Sequence, residues 1–85
     1  MVNKSINLYE AKKQGAFLVE STPDIGLLEN LGIRTGTQVM VQNRYVFGGP
    51  VLLRVEDTYS IAIGKDIAKQ ISVVEILSTK EEATA

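Results

Sequence analysis

The chain contains no cysteine, no histidine and no tryptophan. These absences exclude a zinc finger, a thiol redox pair, imidazole-ligated iron and any nucleophile activated by histidine. A metal site could be built from oxygen ligands only. Neither charge sign is in excess: nine Lys and Arg face ten Asp and Glu. The basic residues are dispersed, with Lys4, Lys12, Lys13 and Arg34 in the first part and Arg44, Arg54, Lys65 and Lys69 in the second. A phosphate-backbone binder would group them, so a nucleic-acid partner is not expected. No apolar run approaches the ~18 residues of a membrane helix, and residues 1–7 have no secretory leader pattern. A cytoplasmic location is the expectation. The near-neutral balance points to a partner recognised by apolar shape rather than by charge.

What is present is 85 residues, 45% of them hydrophobic. A chain of this length buries one small core, so a single domain is expected over residues 1–77, followed by a tail at 78–85 without apolar period. Asn7 and Glu10 have the spacing of a capping box, with Ile6 and Ala11 placed as a hydrophobic staple. They predict a helix from Leu8 to about Gln14, with Gly15 as its left-handed stop. Ala16–Ser21 reads as a strand. Thr22-Pro23-Asp24 has the chemistry of a helix start, and the helix it opens runs to Leu31, with Gly32 as terminator. Leu27, Leu28 and Leu31 fall on one face of that helix.

From Gly36 the apolar period changes to two. Val39 and Val41 open a strand that continues through Tyr45; Phe47-Gly48-Gly49-Pro50 is a turn cluster; Val51, Leu53 and Val55 share one face of the next strand. Asp57-Thr58 suits a hairpin connection to a strand with Tyr59, Ile61 and Ile63 inward. Lys65–Gln70 is long enough for a turn of helix, and Ile71–Leu77 for a closing strand. Five short strands with small helices predict a mainly β protein, and an SH3-like five-stranded barrel is the architecture that would remove its exposed edges.

No catalytic set emerges. Tyr59, Ser60 and Lys65 are near one another in sequence but have no general base beside them, so no enzyme is expected. Glu56, Asp57 and Asp66 are the oxygen ligands a carboxylate-bound Fe²⁺ or Mn²⁺ would use, yet their spacing matches no calcium loop. A metal-responsive sensor is therefore the alternative function, and no cofactor or metal site is assigned. Gly48-Gly49 lacks the lysine and the strand-to-helix context of a phosphate loop. Arg44, Arg54 and Tyr45 are too few for a single-strand stacking platform.

The features left are apolar. The loop Tyr45, Val46, Phe47, Gly48, Gly49, Pro50 either presents a contact surface or folds its aromatics back over the barrel. Leu27, Leu28 and Leu31 either cap the barrel or adjoin that loop as a second part of a partner-binding surface. A second copy of the chain covering Val46, Phe47 and Leu52 is the homo-oligomeric version of the same idea.

Five segments together resemble one family. They are Leu8-Tyr9-Glu10-Ala11-Lys12, Leu31-Gly32-Ile33, Arg34-Thr35-Gly36-Thr37, Phe47-Gly48-Gly49-Pro50-Val51 and Ile63-Gly64-Lys65-Asp66-Ile67-Ala68. Their ordered combination over about residues 7–77 is similar to the FeoA domain, and to the SH3-like C-terminal domain of iron-dependent repressors. The resemblance implies an SH3-like barrel and a non-catalytic accessory of bacterial ferrous iron transport. It also implies a partner, the cytoplasmic part of the transporter FeoB, reached without crossing the membrane. No helix-turn-helix segment precedes the domain, which favours the transport accessory over a repressor.

Overall fold

The structure is a computed structural model that describes residues 5–45 and 47–76. The expectations for Val46, Leu77 and the tail 78–85 lie outside the described residues. Six strands form one antiparallel sheet: β1 (Ser5–Asn7), β2 (Ala16–Ser21), β3 (Gln38–Arg44), β4 (Val51–Val55), β5 (Tyr59–Ile63) and β6 (Ser72–Glu75). Two short helices, α1 (Gly26–Asn30) and α2 (Lys65–Ala68), lie between strands. The strand order is β1-β6-β2-β3-β4-β5. The protein is thus mainly β and SH3-like, but its sheet curls without closing, and β1 and β5 remain edges. Strand β1 is the one absent from the five-strand expectation, because three residues are too few to show a period of two.

Strand β2 joins the two halves of the sheet, pairing with β3 on one side and β6 on the other. Register shifts at Val19/Ser21 and Val41/Asn43 bend it. An extra residue on one strand of a pair increases local twist and lets a small sheet wrap around its core. Phe17, Val19, Val39, Val41, Val51, Leu53, Val55, Ile63 and Val73 fill that core from five strands. Leu8, Leu28, Ile33, Ala68 and Ile71 close it from the connections. The alternation predicted for β4 holds at every residue: Val51, Leu53 and Val55 are buried, Leu52 and Arg54 are not. On β5 the inward face is graded, from buried Ile63 through half-buried Ile61 to exposed Tyr59, because this strand runs along an edge.

The connections differ most from expectation. Asn7 does cap, its side chain accepting from Glu10 N at 3.1 Å, but the turn it starts is a 3-10 helix of only Leu8–Glu10. Beyond it Gln14 N donates to the carbonyl of Val41 at 2.7 Å, and this tertiary bond ends the helix early. The left-handed residue is Gln14 (φ 67°), not Gly15. Glycine is required at 15 for space, since a Cβ there would sit 2.7 Å from the Phe17 ring. The Thr22-Pro23-Asp24 segment is likewise outside the helix: Ile25, extended at φ −124°, is the residue preceding α1. The hairpin turn between β4 and β5 centres on Glu56-Asp57, both with positive φ, one residue earlier than Asp57-Thr58. Helix α2 stops at Ala68 and β6 spans Ser72–Glu75, both shorter than expected.

The end of α1 explains one sequence motif. Ile33 N donates to Leu28 O and Gly32 N to Glu29 O, with Gly32 at φ 84°, the arrangement of a Schellman termination with Leu28 packed near Ile33. Thr37, buried, donates its hydroxyl to Gly32 O and accepts from Arg34 N, both at 3.1 Å. Gly36 supplies a second positive φ (94°) between them. The L-G-I-R-T-G-T run is therefore a termination and a turn locked by one hydroxyl.

Candidate functional site

Strands β3 and β4 extend into a hairpin whose tip is Phe47-Gly48. Tyr45 N donates to Pro50 O at 3.0 Å and closes its base. Gly49 is packed against Tyr45 so closely that a Cβ would meet Tyr45 Cβ at 2.7 Å. Phe47 and Gly48 are consecutive left-handed residues (φ 63° and 78°), as at the central positions of a type I′ turn, where Asn-Gly is the favoured pair. Phe47 is 101% exposed. Of the two arrangements open to this loop, the structure has Phe47 projecting and not folded back over the barrel. Tyr45 is 46% exposed beside it.

The hairpin is tied to the body of the molecule through Tyr9. The Tyr9 hydroxyl donates to Gly49 O at 3.4 Å, and Lys65 Nζ stands 5.7 Å from the centroid of the Tyr9 ring. A Cβ at Gly48 would be 3.9 Å from the same Nζ, so Lys65 borders the tip itself. At the hairpin base Arg44 is half-buried and donates to Ala11 O at 2.5 Å. Strict alternation from Val39 and Val41 would put Arg44 on the outer face. The register shift after Val41 instead pairs Arg44 with buried Val51 and turns it toward the 3-10 segment.

The leucines are not part of this surface. Leu28 is 1% exposed and belongs to the core, Leu31 is half-buried against it, and only Leu27, at 52%, faces outward. The Leu31 carbonyl is held by the Tyr59 hydroxyl at 2.5 Å. Since Tyr59 pairs with Val55 while the hairpin begins at Val51, α1 and Phe47 lie at opposite ends of the β3–β4–β5 ribbon. Four residue steps along β4 separate them by about 13 Å of strand. The two apolar features that sequence joins into one surface are thus apart, and Leu28 and Leu31 have core roles.

The polar groups are also dispersed. Tyr59 binds Leu31 O, the Ser60 hydroxyl donates to Gln42 Oε1 at 2.8 Å, and Lys65 rests on Tyr9, so these three do not form a cluster. Glu56 accepts from Gln38 N, and Asp57 pairs with Arg54 at 3.2 Å, whereas Asp66 is on α2. Among the described residues no three His, Cys, Asp or Glu side chains are grouped to hold a metal ion. Nor is any helix among them long and apolar enough to cross a membrane.

Fold and site together define a small SH3-like domain with a projecting aromatic hairpin. Residues 6–75 match the FeoA domain family, and the chain belongs to it. This is a family of non-enzymatic accessory domains with a role in ferrous iron transport. Among solved structures, an iron uptake regulatory protein (FeoA) superposes with a TM-score of 0.77 at 22% identity, covering 86% of this chain and 99% of that one. A FeoA-like protein from Clostridium acetobutylicum gives 0.75 at 27% identity, over 92% and 93%. A manganese-dependent transcriptional repressor gives 0.78 at 17% identity, a likeness of fold alone; it covers 89% of this chain but 44% of the repressor. No curated protein sequence matches the chain.

Proposed function

We propose that the domain serves ferrous iron uptake as a protein-interaction module and docks its Tyr45–Pro50 hairpin on the cytoplasmic part of the transporter FeoB. One observation carries this reading. Phe47 holds a full aromatic side chain in water, at a backbone position that favours glycine or asparagine, so neither core packing nor turn chemistry selects it. An aromatic anchor on a short, closed hairpin supplies contact area at low entropic cost, which is how a small surface gains affinity. Gly49, the Tyr45–Pro50 hydrogen bond and the Tyr9 contact keep that anchor in place before any partner arrives.

Phe47→Ala tests it. The substitution is expected to weaken binding to the FeoB cytoplasmic domain by about 2 kcal/mol, roughly thirtyfold, as for a central aromatic anchor. The thermal midpoint should stay put, because an exposed side chain contributes little to folding. Undiminished binding by a folded Phe47→Ala protein would overturn the reading.

A further inference from the structure

Two cations stand at the hairpin, Lys65 at its tip and Arg44 at its base. Neither of the two ion pairs among the described residues, Lys12–Glu75 and Arg54–Asp57, includes Lys65 at the hairpin tip or Arg44 at its base. Lys65 borders the tip and is half-buried over the Tyr9 ring. Arg44 stands at the base and donates to a backbone carbonyl. Asp66, next to Lys65 in sequence, makes no ion pair among the described residues.

We infer that Lys65 is the charged half of the docking surface, and that the partner presents an apolar pocket for Phe47 with a carboxylate on its rim facing Lys65 Nζ. The inference rests on the hairpin being the docking element. Its own support is the arrangement Lys65–Tyr9–Gly49. One tyrosine meets the ammonium with its ring face and the hairpin with its hydroxyl, so charge and anchor share one support. A lysine that merely solubilised the surface would extend into water; this one is laid against an aromatic beside the most exposed apolar side chain of the described residues. Arg44 adds to the same positive field. A rim charge of this kind acts mainly on association rate, partner selection and salt dependence, while the aromatic sets residence time.

The test measures binding of the full chain to the FeoB cytoplasmic domain at low and high salt for wild type, Phe47→Ala, Lys65→Met and Lys65→Glu. Methionine keeps the apolar stem over Tyr9, so Lys65→Met should fold as wild type, bind about 3- to 10-fold more weakly at low salt and lose much of the salt dependence. Lys65→Glu should bind more weakly still, and a partner carrying Lys in place of one rim Asp or Glu should restore it. If Lys65→Met and Lys65→Glu bind like wild type with the same salt slope while Phe47→Ala fails, the inference falls and the hairpin reading stands. If Phe47→Ala binds normally, the hairpin reading falls and takes the inference with it. Loss of binding by Lys65→Glu that no charge swap on the partner restores would also overturn direct pairing.

Discussion

Phe47 occupies a left-handed conformation that an L-residue other than glycine, asparagine or aspartate seldom takes, and its side chain gains nothing from the core in return. Such a position costs roughly 1–2 kcal/mol, of which glycine would recover part, its own gain being reduced by a freer unfolded chain. Phe47→Gly should therefore raise stability by about 0.5–1 kcal/mol and the thermal midpoint by a few degrees, while weakening the binding proposed for this hairpin at least as much as Phe47→Ala does. A lower midpoint would show that Phe47 packs against the domain after all. Residue identity alone separates this loop from an ordinary turn, and that much was legible in sequence. The left-handed backbone at Phe47 was not, since only the closure between Tyr45 and Pro50 imposes it.

At the scale of elements, α1 shows where periodicity misleads. A helical wheel places Leu27, Leu28 and Leu31 within one arc, but the helix has five residues and the domain covers only part of that arc. Leu28 packs under the Schellman turn with Ile33, while Leu27 faces water. Leu28→Ala should cost about 3 kcal/mol and lower the thermal midpoint by roughly 10–20 °C, whereas Leu27→Ala should stay within about 0.5 kcal/mol. Thermal scans of the two variants check this; equal losses would mean that the stripe is buried as a unit. The same competition shortened the 3-10 segment after Asn7, where the bond from Gln14 to Val41 outweighed a local pattern correctly read at its start. Strand β4, by contrast, follows its sequence alternation at each position because both its neighbours pair along its whole length.

For the whole molecule, the open six-stranded sheet keeps Glu56 and Asp57 at one end of the β3–β4–β5 ribbon, with Asp66 following β5 at the other. A hard cation needs several oxygens converging at about 2.0–2.6 Å, and Asp57 is already paired with Arg54. Titration with Mn²⁺ followed by amide shifts should accordingly show no saturable site at Asp57 or Asp66. Concerted, saturating shifts at both would revive the metal-sensor alternative. The tertiary arrangement also alters the reading of charge. Dispersed along the sequence, the cations look unremarkable, yet folding pairs Lys12 and Arg54 with acids, sets Arg44 at the hairpin base and brings Lys65 to the hairpin tip.

Sequence by itself determined the chemistry open to this protein. Without cysteine or histidine, thiol and imidazole sites are excluded whatever the fold; the apolar periods specified a mainly β domain, and the L-G-I-R-T-G-T and F-G-G-P runs carried its resemblance to the FeoA family. Only the tertiary structure decided which apolar residues are surface and which are core. Burial depends on what packs from outside an element, and no period within the element records that. It also turned Arg44 inward through a one-residue register shift, and brought Tyr9, Gly49 and Lys65 together from three distant segments, because sheet pairing, not local sequence, sets where those backbones meet.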